Sequence, residues 1–151
     1  MTALSFEMLD RHVVAGRGDH VACTDPTGSL TFARLLERSA ALAGGLVVLG
    51  IRPGDGVELD LPTGNDRVIA VCALIRLGAL PASGTAARIA VVNGAGSVRI
   101  NDNDIELSLV ERAGRSDPLP ADTVDEPDYA QVVTGAFADI VGPLLSGSPV
   151  V

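Results

Sequence analysis

A chain of 151 residues with 47% hydrophobic content can bury one continuous core without disulfide or metal staples, which excludes an extended disordered polymer. Only 3% of the residues are aromatic and none is Trp, so Ala, Val, Leu and Ile build that core, a composition that favours close sheet-to-helix packing over a roomy ligand cavity. Nineteen acids face eleven bases, every one of them Arg, and the net charge of −8 leaves no concentrated positive potential for nucleic acid or an anionic membrane.

The opening MTALSFEMLDRHVVAG lacks the basic start and long apolar run of a secretory signal. No apolar stretch reaches the roughly 18 residues of a membrane span, so a cytoplasmic setting is expected. Residues 5–15 place Phe6, Leu9 and Val13, with Met8 beside them, on one helical stripe and leave Glu7 and His12 to face water. HVACT and LTFA then flank Asp25-Pro26-Thr27-Gly28, where Pro suits the second turn position and Gly tolerates positive φ; the segment reads as a β-hairpin. Thr31 is placed to cap a helix running to about Leu49, with Leu35, Leu42, Leu46 and Leu49 at helical spacing and Gly50 to end it.

After the turn Arg52-Pro53-Gly54-Asp55, VELDL alternates as a strand that Pro62 and Gly64 stop. Asn65 or Asp66 can cap a second helix, RVIAVCALIRLGA, which is apolar almost all round and so expected to be buried. Cys23 and Cys72 lie in apolar runs and neither opens a CxxC, which points to two buried thiols rather than a disulfide or a zinc site. Beyond Pro81 the pattern changes to RIAVV, SVRI and IELSLV, joined by Asn93-Gly94-Ala95-Gly96 and by residues 101–104, a run of short antiparallel strands. Residues 113–128 read as a polar, solvated loop.

A last helix follows. Tyr129, Val132, Val133, Phe137, Ile140, Leu144 and Leu145 recur at three and four residues, Asp125 or Glu126 before Pro127 marks the start, Gly142-Pro143 a kink and Gly147 the end. The final SPVV resembles the opening of another buried strand.

Several smaller constellations offer chemistry on paper. Gly94-Ala95-Gly96 follows a strand but has Arg99 where a dinucleotide fingerprint needs Gly, and strand residues come next; a hairpin turn is expected. Asp102, Asp104 and Glu106 alternate and could offer oxygens to a hard cation, yet the loop lacks an EF-hand Gly and distal Glu, and a solvated strand edge is expected. His12 and His20, with Asp10 and Asp19 nearby, are the only general-base candidates of physiological pKa and are expected on the surface. Arg67 and Arg76 could bind an anion or pair with acids at the helix ends.

The order of elements from VACTDPTGSLTFARLLERS through LGIRPGD, the strand ending LP, the capped helix and the exit LGALPA resembles the start of the adenylate-forming superfamily: acyl-CoA synthetases, fatty acyl-AMP ligases and peptide-synthetase adenylation domains. The resemblance covers residues 7–82. Residues 83–128 diverge, and GAFADIVGPLLSGSPVV in 129–151 is similar to a later segment of the same family. It implies one domain over 1–151, a partial N-terminal subdomain of α/β class. Its mixed sheet would be flanked by about four helices, with the hairpin near the start and the meander after residue 85.

It also implies an activity, the joining of a carboxylate to ATP followed by transfer of the acyl group to a thiol. That chemistry needs a Ser/Thr/Gly-rich phosphate loop ending in Lys and a second Lys on a later domain. The nearest loop candidates, Thr134-Gly135 and Ser146-Gly147-Ser148, are too short and neither precedes a lysine, because the chain has none. Arg does not substitute, since its planar fork differs from a compact ammonium at a phosphoryl group. No catalytic, cofactor-binding or metal-ligating residue is assigned, and no cofactor is expected. The expectation is a non-catalytic, shortened domain acting through protein contact, as a homo-oligomer or on a protein partner, without nucleic acid or membrane. The alternatives are one component of a split ligase and a residual module binding a nucleotide or an acyl group.

Overall fold

The computed structural model describes residues 3–83, 85, 87–121 and 128–150. Residues 4–15 form the expected first helix, widened into π-turns at Phe6–Asp10 and from Val13, until Gly16 (φ 86°, ψ 13°) leaves the helical region. Met8 and Leu9 face inward, with Phe6 and Val13 half-buried. The hairpin follows as β1 (Val21–Asp25) and β2 (Gly28–Thr31), antiparallel across the Asp25-Pro26-Thr27-Gly28 turn. The chain's last described residue returns to it. Val150 forms an isolated parallel bridge beside β1, its N–H donating to the Ala22 carbonyl at 2.8 Å, so of SPVV the described residues show one bridge and no strand.

Helix α1 (Phe32–Val48) begins where Thr31 Oγ1 accepts the Arg34 amide at 3.1 Å and ends before Gly50, whose φ of 99° suits glycine. Next come β3 (Gly56–Asp60), α2 (Asn65–Leu77), β4 (Leu80–Pro81), β5 (Ala87–Val92), β6 (Ala95–Ile100) and β7 (Asn103–Glu106). The five strands form one mixed sheet in the order β4-β3-β5-β6-β7, parallel around β3 and antiparallel from β5 onward. The two tight turns of the meander carry their left-handed residues at Asn93-Gly94 and Asn101-Asp102, as hairpins with two-residue loops require.

Pairing register sorts the sheet into two faces. Val57, Ile89 and Val98 point one way into the core. Glu58, Arg88, Arg99 and Asp104 point the other way and pair across strands, Arg88 with Glu58 at 2.5 Å and Arg99 with Asp104 at 2.9 Å. Helix α2 is buried from Val68 to Leu77, as its all-round apolar sequence requires.

Two expectations are corrected. LSLV does not extend the meander; it opens helix α3 (Leu107–Gly114), which buries Leu107, Val110, Glu111 and Gly114 at helical spacing against α1. The last helix is two, α4 (Tyr129–Ala136) and α5 (Ala138–Ser146), broken at Phe137 (φ −129°, ψ 40°) and not at Gly142-Pro143. Phe137 leaves the helical region to bury its ring, and Pro143 is accommodated inside α5 at the loss of one ladder bond. With these additions the described residues hold five α-helices besides the π-turned first segment. The expected start of the last helix at Asp125 or Glu126 falls outside the described residues.

Where α1 and α3 cross, backbone meets backbone. A Cβ on Gly45 would stand 2.8 Å from the Val110 carbonyl carbon, and one on Gly114 would stand 2.9 Å from that of Ala41. The α4–α5 unit is held by Tyr129, whose hydroxyl donates to the Ala79 carbonyl at 2.8 Å, and by the Arg67–Asp139 pair at 2.7 Å.

Candidate functional site

Ligand crevices of open α/β sheets lie outside the carboxyl ends of their parallel strands. Here the carboxyl ends of β3 and β5 meet the N-terminus of α2, and a cleft of about 230 Å³ opens beside them. Arg38 of α1, Asp66 of α2, the Gly94–Gly96 turn, Glu106 and Glu111 line it.

Its electrostatics are set by one internal pair. Arg38 grips Glu111 from two nitrogens, Nη2 to Oε1 at 3.0 Å and Nε to both oxygens at 3.2 Å, and the Glu111 side chain is only 8% exposed. The single guanidinium in the wall is thereby committed. Asp66 and Glu106, both exposed, add two negative charges at the mouth. The Gly94-Ala95-Gly96 backbone belongs to the β5–β6 turn and ladder, as its sequence led us to expect, and forms no open nest of amides. A triphosphate does not fit such walls, because like charge repels it and nothing offsets its own.

A wider groove of about 530 Å³ lies at the amino end of β3, between Leu49, Ile51, Gly56, Thr85 and Ile100. Its one carboxylate, Asp55, is already engaged by the Arg52 amide at 2.8 Å.

The remaining sequence candidates do not converge on either opening. His12 was expected on the surface and is buried, 1% exposed, with its ring centroid 4.8 Å from that of Phe32. Its partners fix the tautomer. Arg17 Nη2, a donor only, faces Nδ1 at 3.1 Å, so the proton sits on Nε2 and is donated to the Leu144 carbonyl at 2.7 Å. With Arg11 donating to the Leu145 carbonyl at 2.7 Å, the two side chains cap the C-terminus of α5. The spacing held this signal, since His12 falls on the turn after Met8 and Leu9. His20 is exposed, and Asp10 is paired with the buried Arg76 instead of serving a histidine.

Asp102 sits in a turn, while Asp104 is held by Arg99; among the described residues no cluster of three His, Cys, Asp or Glu could hold a metal ion. The Arg99 contact also keeps the Asp104 carboxyl below its usual range. Arg67 pairs with Asp139 and lies 6.0 Å from the Phe137 ring centre, so both helix-end arginines of α2 are in ion pairs. Thr134-Gly135 lies within α4, and Gly147 ends α5 against the His12 ring. Cys23 and Cys72 are free and buried as expected; burial pushes the Cys23 thiol up to about 11 and Cys72 higher still.

Sequence reasoning missed Arg38, Glu111 and Asp25. Asp25 supplies the N-terminal cap of α2 that was expected from Asn65 or Asp66: its Oδ2 accepts the Asn65 amide at 2.8 Å from 40 residues away. No helix among the described residues is long and apolar enough to cross a membrane.

Comparison with known proteins follows the same outline. A family profile described as "AMP-binding enzyme" matches residues 10–93, more than half of the chain. An acetyl-coenzyme A synthetase of Streptomyces avermitilis is 33% identical over 120 residues, covering 74% of this chain and 17% of that protein. A salicyl-AMP ligase / salicyl-S-ArCP synthetase of Mycobacterium tuberculosis is 43% identical over 72 residues, 48% of this chain and 12% of its own length. Among solved structures, a benzoate CoA ligase from Burkholderia xenovorans LB400 superposes with a TM-score of 0.50 at 23% identity, covering 54% of this chain and 16% of the other. The chain thus spans between 12% and 17% of the length of these relatives.

Proposed function

The chain belongs to the AMP-binding enzyme family, and from that membership we propose that it is an adenylate-forming-enzyme-like domain that is not itself catalytic and acts through protein contact, by self-association or by docking on another chain. One observation carries the non-catalytic part of the reading: residues 10–93 match the family, while the chain contains no lysine and its cleft at the strand ends is walled by Asp66, Glu106 and the Arg38–Glu111 pair. Adenylate formation demands cationic groups at the phosphates and at the reacting carboxylate, and an acidic cleft opposes both. The free, buried thiols of Cys23 and Cys72 favour a reducing, cytoplasmic setting for it.

The test is ATP–pyrophosphate exchange by the purified chain with short-chain, aryl and fatty carboxylates. No exchange above a protein-free control is expected, and carboxylate-dependent exchange overturns the proposal. Light scattering over a rising concentration series reads the contact mode. A mass that grows beyond 15.4 kDa supports self-association, and a constant 15.4 kDa leaves docking on another chain.

A second reading is favoured by the share of each relative that is matched. On it, the chain is one component of an acyl-CoA synthetase or acyl-AMP ligase whose lysines come from another polypeptide. Exchange that appears only when a candidate second component is added would establish it.

A further inference from the structure

The β1–β2 hairpin meets α2 through its turn. Asp25 Oδ1 accepts the Thr27 amide at 2.7 Å and the Thr27 hydroxyl at 2.5 Å, which fixes the carboxylate within the turn, and Oδ2 accepts the Asn65 amide. The contact is reciprocal: Asn65 Nδ2 donates to the carbonyl of Gly28, the first residue of β2, at 3.0 Å. Gly64, which precedes α2, has no side chain to cap the helix, and a Cβ there would stand 3.2 Å from Asp25 Oδ2. Asp66, the next residue of α2, lines the mouth of the cleft.

We propose that Asp25 and Asn65 form an acid-labile clasp, in which the ionised carboxylate fixes the hairpin turn onto the cleft-bearing end of α2 and protonation releases it. The groups near this end are few. Thr27 and Asn65 are neutral, Cys23 of β1 is a buried thiol, Arg67 on the first turn of α2 is committed to Asp139, and Arg38 of α1 to Glu111. Asp66 is the other carboxylate at this helix end. The acid-sensitive half of the clasp therefore rests on hydrogen bonds to the ionised Asp25 and on the positive end of α2, while the Asn65 Nδ2–Gly28 bond between neutral groups does not change its charge with pH. The Thr27 hydroxyl and the Asn65 amide both hold the Asp25 carboxyl below its usual range, so the clasp is closed above the ordinary carboxylate pKa of about 4 and opens as pH falls through the lower folded value.

Amide hydrogen exchange and chemical shifts, read by NMR on the whole chain, test the proposal. In wild type the Asn65 amide shift and the Asp25 side-chain carboxyl shift should follow one acid midpoint below about pH 4. In Asp25→Ala the Asn65 amide should exchange about tenfold faster or more at neutral pH, while Ile69 to Leu74 keep their protection as the sign of a folded helix. Separate midpoints in wild type, or unchanged Asn65 protection in a folded Asp25→Ala variant, would overturn it. Because the wild-type titration needs no substitution, a variant that fails to fold leaves the test standing.

Discussion

Replacing Gly45 by Ala should destabilise the protein, although alanine is the better helix former by about 1 kcal/mol. The added Cβ would stand 2.8 Å from the Val110 carbonyl carbon and 2.9 Å from Val110 Cγ1, with the carbonyl oxygen nearer still. Carbon atoms in favourable contact sit about 3.5–4.0 Å apart, so α3 must retreat by roughly 0.7 Å or more. No side chain can swing away to make room, because the obstacle is backbone. Gly114 lies in the same crossing, its would-be Cβ 2.9 Å from the Ala41 carbonyl carbon, so a shift that relieves one contact disturbs the other. Overpacking of this kind costs about 1–3 kcal/mol, the upper end where backbone must move, and less the gain of about 1 kcal/mol in helix propensity this sets a net loss of about 2 kcal/mol. Gly135→Ala is the matched control. Gly135 is exposed in α4 with nothing within 4 Å of an added methyl, so the same exchange should stabilise by up to about 1 kcal/mol. Urea denaturation with an unchanged slope reads both variants, and for a chain of this length the Gly45 variant should melt about 4–8 °C lower. Equal or greater stability in Gly45→Ala would refute the backbone crossing.

Arg38→Ala should cost about 2–3 kcal/mol by denaturation, because Glu111 is left buried with only Arg115, 3.6 Å away and largely exposed, to face it; the partial exposure of Arg38 keeps the loss below that of a fully buried pair. Tyr129→Phe should cost about 1–2 kcal/mol by leaving the buried Ala79 carbonyl without its donor at 2.8 Å, and a change below about 0.5 kcal/mol would argue against that bond. Cys23 and Cys72 should resist a thiol reagent near pH 8 in the folded protein and both react once it is unfolded. Their folded pKa values are raised, so the stability tied to the neutral thiols is complete below the ordinary value of 9.0 and erodes as pH climbs toward about 11, where Cys23 ionises; alkaline denaturation curves should show the decline starting near 9.

The parts of the fold that local punctuation marks were legible in advance. Asp25-Pro26-Thr27-Gly28, the Thr31 cap, Gly50, Asn93-Gly94 and Gly147 each impose a backbone choice that no distant contact revises. Where two periods fit the same letters, tertiary packing decided. Ile105, Leu107 and Leu109 alternate as a strand would, yet Leu107, Val110, Glu111 and Gly114 also lie on one helical face, and only that face brings Gly114 onto the backbone of α1. The last helix shows the converse. Gly142-Pro143 is the stronger breaker by residue type, but Ile140, Val141 and Leu144 around it are buried, and the break falls instead at Phe137, where the ring turns inward beneath Arg67.

Little of the candidate site was legible in the sequence. That the chain holds no lysine is a matter of composition, and it says nothing of how the cleft is lined. The character of the cleft is a matter of pairing at a distance. Arg38 could as well have been a free cation awaiting an anion, and nothing in its neighbours along the chain says otherwise. It is the fold that sets Glu111 against it, 73 residues later, on a helix whose first turn the sequence pattern reads as strand. Once that pair closes, the lining of the cleft keeps the Asp66 and Glu106 carboxylates and no unpaired guanidinium, a wall that opposes phosphate. A lysine introduced by substitution in this cleft would therefore meet Glu111, Asp66 and Glu106, and should form ion pairs within the wall.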